Sequence, residues 1–127
     1  MKEYMLLVRN QGTHHSSQSQ EKHETFLKAC SDYIGVLKKE GKLLSAQPMV
    51  REGTFVSGTP DNWKETPYEQ SGEMIVGYYH ILAADEKEAI RIAKMNPEFA
   101  FSTTARVEVR PIKMKEQTTG FVYPSKS

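Results

Sequence analysis

The stretch MIVGYYHIL, residues 74–82, limits the fold of this chain more than any other. Apolar side chains fall on both of its alternating sets. Ile75, Gly77, Tyr79 and Ile81 make one set; Met74, Val76, Tyr78, His80 and Leu82 make the other. Side chains of a strand point alternately to its two faces, so a strand like this one is covered on both and lies inside a sheet. The remaining elements have to be arranged around it.

Residues 4–8 form a short apolar run that predicts a first strand, with Arg9 and Asn10 closing it. The polar, aperiodic QGTHHSSQSQ at 11–20 predicts an exposed loop. From 21 to 39, Phe26, Ala29, Cys30, Tyr33, Ile34 and Leu37 recur at helical spacing and give one apolar face. Gly41 stands where the helix needs a left-handed cap. KLLSAQPMV at 42–50 then predicts a strand, at an edge or with a bulge because of Pro48. Residues 51–57 are expected to return along it as a hairpin turning at Glu52-Gly53. Thr59-Pro60-Asp61-Asn62 is a turn signal, and Pro67 and Gly72 keep the stretch up to the central strand irregular. This part is expected to be a surface connection beside a ligand cleft, its Trp63 and Tyr68 packing on the body, lining a pocket or anchoring an interface. A second helix is expected at 85–95, with Asp85 and Glu88 as a capping box and Ala89, Ile90 and Ala93 facing inward. Asn96-Pro97 stops it. Residues 105–113 alternate Val107 and Val109 with Arg106, Glu108 and Arg110, a last strand.

Strand–helix–strand therefore occurs twice. That is an α+β chain with the ferredoxin-like βαββαβ split unit, an antiparallel sheet carrying two helices on one face. The other face is left uncovered, and a second copy of the sheet is the simplest cover. A homodimer forming a dimeric α/β-barrel is expected, with residues 1–113 as the domain. The tail, 114–127, carries Phe121, Val122 and Tyr123 and is expected to dock on this subunit or on its neighbour.

Composition excludes several function classes. Lys+Arg 17 against Asp+Glu 16 leaves a net charge of +1 without a block of like charge, which argues against nucleic acid as a partner. The lone Cys30 rules out an internal disulfide. Near the N-terminus the apolar run spans only residues 5–8, short of the roughly 7–15 of a secretory segment and the roughly 20 of a membrane span. A cytoplasmic protein without a membrane role is expected. Phosphate loop, nucleophile elbow and C-x-x-C are all missing from the sequence, so no bound cofactor is expected.

Several of these segments together resemble the YCII-related family, including its DGPF-type members. They are MKEYMLLV, GKLLSAQP, GYYHI, the D-x-x-E-A-I-x-I-A helix start at Asp85, and VEVRPI at 107–112. The resemblance spans roughly residues 1–113 and implies the dimeric α/β-barrel form of the fold. It also implies roles such as hydrolysis, isomerisation or oxygenation of small molecules. Two departures matter. Where DGPF-type relatives carry Asp-Gly-Pro-Phe, this chain has Thr59-Pro60-Asp61-Asn62-Trp63. Where YCII members nearer the founding type carry a His on the first helix and an Asp before a proline after the second, proposed as a catalytic pair, this chain has Cys30 and Asn96. An amide has no useful pKa, so Asn96 is no general base.

The remaining candidates each carry two readings. His80, beside Tyr78 and Tyr79, suits a general acid or base in a cavity, or a hydrogen bond inside the sheet. Cys30 suits inert packing better than reactivity, because His23 is two turns away along the helix. His14, His15 and His23 with Glu24 lack the spacing of a metal site, and no metal is expected. Arg106 and Arg110 around Glu108 suit a salt-bridged surface or a clamp for an anionic substrate. Two functions follow. One is a small cofactor-independent enzyme acting on a small organic molecule, with His80 catalytic and Tyr78, Tyr79, Arg110 and Trp63 binding. The other is a non-catalytic binding or assembly module that has lost the His–Asp pair.

Overall fold

A computed structural model describes residues 1–12, 19–69 and 72–124. The chain runs β1 (Lys2–Gln11), α1 (Gln20–Lys39), β2 (Leu43–Pro48), β3 (Thr54–Thr59), β4 (Asn62–Pro67), β5 (Glu73–Ala83), α2 (Glu86–Lys94), α3 (Glu98–Phe101) and β6 (Arg106–Pro111). Strands β2, β5, β1 and β6 pair in that order, each neighbour antiparallel. With the β3–β4 insertion set aside, this is the order of the ferredoxin-like split unit, and the α+β expectation holds.

Local chemistry explains where the helices start and stop. Ser19 Oγ accepts the Lys22 N–H at the start of α1. At its end the Gly41 N–H reaches the Lys38 carbonyl and the Lys42 N–H the Leu37 carbonyl. That paired closure needs a left-handed residue, and Gly41 supplies it at φ 70. Asp85 Oδ1 accepts the Glu88 N–H, while the Glu88 carboxylate accepts the Ala84 N–H. The capping box expected at Asp85 is thus present, reaching one residue further back than usual.

Both helices pack on one face of the sheet. Phe26, Tyr33 and Leu37 of α1 are buried, and so are Ala89, Ile92 and Ala93 of α2. Tyr33 joins the two layers: its ring meets Tyr79 edge-on at 5.2 Å, and its hydroxyl donates to the Ile92 carbonyl at 2.7 Å. Ile90, expected inside, is more than a third exposed and Ile92 takes the inner place, because the buried stripe follows the 89–92–93 spacing.

Three other expectations are corrected. The first strand does not close at Arg9 and Asn10; it pairs with β5 as far as Gln11, and Asn10 is fully buried. The two side-chain sets of the central strand are not those of simple alternation. The pairing skips Val76 between Val8↔Gly77 and Arg9↔Ile75, a bulge that exchanges the faces on either side of it. Met74 and Val76 therefore share the core with Tyr79, Ile81 and Ala83, while Ile75 joins Tyr78, His80 and Leu82 on the opposite face. Finally, the hairpin does not turn at Glu52-Gly53. β3 pairs with β4 across Pro60-Asp61, so the stretch expected to be irregular is a two-stranded arm. Gly58 makes that turn feasible. Its φ is 112, and a Cβ there would sit 2.2 Å from the Asn62 carbonyl oxygen. Every residue of the arm's two strands is exposed.

After β6 the tail folds on itself. Lys115 bridges Val122, the Phe121 and Tyr123 rings meet at 5.2 Å, and the Tyr123 hydroxyl donates to Glu116. No helix is long and apolar enough to cross a membrane among the described residues.

Candidate functional site

The face of the sheet that carries the helices encloses a cavity of about 530 Å³ between α1, the β2 and β5 strands and the α2–α3 junction. Its walls are mostly apolar, with Phe26, Ile34, Ala46 and Val76 among them. This volume falls in the range of small-molecule sites. Cys30 and Asn96, far apart in the chain, both line it.

Asn96 is only 4% exposed. Its Oδ1 accepts the Glu98 N–H at 2.8 Å, a contact that fixes which end of the amide is oxygen. The Nδ2 end is then a donor, buried and without a hydrogen-bond partner among the described residues. Leaving such a donor unmade costs about 1–3 kcal/mol.

Glu98, 6% exposed, also lines the cavity. Its Oε2 accepts from Asn10 Nδ2 at 2.7 Å. Asn10 is held in turn by Thr104, whose hydroxyl donates to Asn10 Oδ1 at 2.7 Å, and by Ser102. β1 thus supplies a buried amide that positions the carboxylate of α3. Arg51, from the connection after β2, lies in the field of Glu98. Burial lowers its pKa and the Glu98 charge works the other way.

Burial acts on the Cys30 thiol and the Tyr79 phenol of the cavity in the same direction. Burial pushes the Cys30 thiol up to about 11, and the Glu98 charge adds to the shift. A thiol shifted in that direction is less available as a thiolate nucleophile at neutral pH. The Tyr79 phenol is raised as well, by burial first and then by Cys30 and Glu98. His23 stands on the wall as part of α1.

Most of the other sequence candidates lie elsewhere. His80 points to the face opposite the helices, where its Nε2 meets the buried Glu3 Oε1 at 2.7 Å. Tyr78 contributes to the cavity wall, yet its hydroxyl pairs with Ser45 Oγ at 3.1 Å. Arg110 sits on Glu108, which also accepts from Arg9, while Arg106 binds Glu73 with two bonds of 2.6 and 2.7 Å. These five charged side chains form a salt-bridged sheet surface on the side away from the cavity. Trp63 is 60% exposed on β4 and is not part of the cavity wall. Among the described residues no three His, Cys, Asp or Glu side chains come together as a metal site. His14 and His15 lie outside those residues.

The sequence reading found Cys30 and Asn96 through the resemblance but passed over Glu98, Asn10 and Arg51. One signal was available: Tyr4, Leu6 and Val8 point inward, and the same period of two carries on to Asn10.

Sheet order and cavity together define a ferredoxin-like α+β domain with a ligand-sized site between helix and sheet. Residues 2–113 match the YCII-related domain, and the chain belongs to the YCII-related family. Compared sequence by sequence, no curated protein matches it.

Proposed function

We propose that this protein binds a small, mostly apolar organic molecule in the cavity between α1 and the sheet. One observation carries the reading: Asn96 Nδ2 is a buried donor on the cavity wall with nothing described to receive its hydrogens. A ligand acceptor would remove that penalty, so the donor favours an occupied cavity over a merely empty one. The test is a screen of small neutral fragments followed by amide shift mapping on the whole chain. Hits should move the amides of 26–34, 76–79 and 96–98, and Ala46→Phe, which fills the cavity, should abolish them while the chain stays folded. A screen without a single hit at those amides would refute the reading.

Turnover by a cofactor-independent enzyme is a second reading, and the buried Glu98 carboxylate on the cavity wall favours it. Under that reading Glu98, not His80, handles the proton. Glu98→Gln would stop turnover of a bound ligand and His80→Ala would not.

The protein acts, in this proposal, as a cytoplasmic homodimer joined through the sheet face that neither helix covers. Met5, Leu7, Ile75 and Leu82 support this, being half-buried apolar side chains on that face. Sedimentation should give a dimer that Leu7→Glu dissociates. A monomer at tens of micromolar would contradict it.

A further inference from the structure

Two polar groups in the cavity have unused hydrogen-bonding capacity, and they are of opposite kind. Asn96 Nδ2 can only donate, because its oxygen is already committed to the Glu98 N–H. Glu98 offers its other oxygen: Oε2 is taken by Asn10, while Oε1 receives no hydrogen bond from any described residue. An ionised carboxylate can only accept. The two residues stand two positions apart across Pro97, locked together by the 2.8 Å contact from the Glu98 N–H to Asn96 Oδ1. Both residues are among those lining the cavity, whose other side chains are mostly apolar.

We infer that the ligand is a neutral molecule presenting an acceptor beside a donor on an apolar body, the pattern of a primary amide or a lactam. The inference rests on the cavity reading above and narrows it to a chemical class. A carbonyl oxygen would take the Asn96 hydrogen, and the adjacent N–H would donate to Glu98 Oε1. An anionic ligand is disfavoured, because its charge would lie against a desolvated carboxylate in a low-dielectric wall. Arg51 does not reverse this. Its charge already lies in the field of Glu98, and it is not among the side chains of the wall.

The experiment titrates the full chain with benzamide, N,N-dimethylbenzamide, benzoate and toluene, following the amides of 76–79 and 96–98. Benzamide should bind about tenfold or more tightly than each of the other three, the difference expected for a hydrogen bond to a charged group. Glu98→Gln keeps an oxygen for Asn10 and turns an N–H₂ toward the cavity, so it should reverse the order of benzamide and benzoate. Asn96→Asp, which replaces the donor by an acceptor, should weaken benzamide in the same assay and serves if Glu98→Gln fails to fold. Wild-type binding of benzoate or toluene as tight as benzamide overturns the inference and leaves the cavity as a site. Silence of all four at those amides also overturns it, and the fragment screen then decides whether the cavity binds anything.

Discussion

The two faces of the sheet handle their polar groups in opposite ways. On the face away from the helices the named polar side chains are paired: His80 with Glu3, Arg9 and Arg110 with Glu108, Arg106 with Glu73. On the helix side Asn10 donates to one oxygen of Glu98, while the other Glu98 oxygen and Asn96 Nδ2 have no hydrogen-bond partner among the described residues. Closed polar networks hold a structure together. In the function proposed above, an open one inside a cavity is completed by the ligand.

Mutations can sharpen or break that contrast, and the largest effect should come at Asn10. Asn10→Ala leaves the Glu98 carboxylate buried without its donor and should cost about 3 kcal/mol of unfolding free energy, read by urea titration. His80→Ala, on the opposite face, should cost about 1 kcal/mol and leave fragment binding in the cavity untouched. If it weakens binding, the division between the faces fails. Asn96→Ala gives the most informative small number. It loses the acceptor of the Glu98 N–H, worth about 1 kcal/mol, and relieves an unmade donor of similar cost, so stability should change by less than about 1 kcal/mol. Two buried asparagines of the same size would then differ sharply, one structural and one waiting for a ligand.

Titration supplies the smallest effects. Glu73 is held below the ordinary carboxylate range, first by its hydrogen bonds from Arg106. A lowered folded-state value stabilises the fold above the ordinary carboxylate range and loses that contribution as pH falls through the lowered one. Arg106→Ala should therefore move the Glu73 titration upward in an NMR pH series and flatten the acid limb of stability. At the other end of the scale Cys30, raised to about 11, releases its proton in the unfolded chain first. Stability should fall as pH rises above the ordinary thiol range, and Cys30→Ser should reduce that slope.

Much of the fold was legible because its signals are local. Gly41, Asp85 and Pro97 end or begin helices by their own chemistry, and the apolar stretch around Tyr79 could only be an inner strand. The bulge at Val76 was not legible, since it arises from how two strands share a register and leaves no mark in one of them. The β3–β4 arm was missed because its partner begins just past the turn at Pro60-Asp61, where prolines and polar residues suggested irregular chain. The site was half legible. Cys30 and Asn96 came from comparison with a family pattern, whereas Glu98 and Asn10 become a pair only when the sheet brings together residues 88 positions apart.

The Asn96 side-chain amide gives the most direct measurement of the central claim. Its ¹⁵N and ¹H resonances are to be followed while the tightest cavity fragment is titrated to saturation. A filled donor should shift both protons of that group, the larger change on the bonded one, while the resonances of His80 and Glu3 stay in place. Saturation with the Asn96 amide unmoved, or with the shifts gathered around His80 and Glu3, would contradict the account.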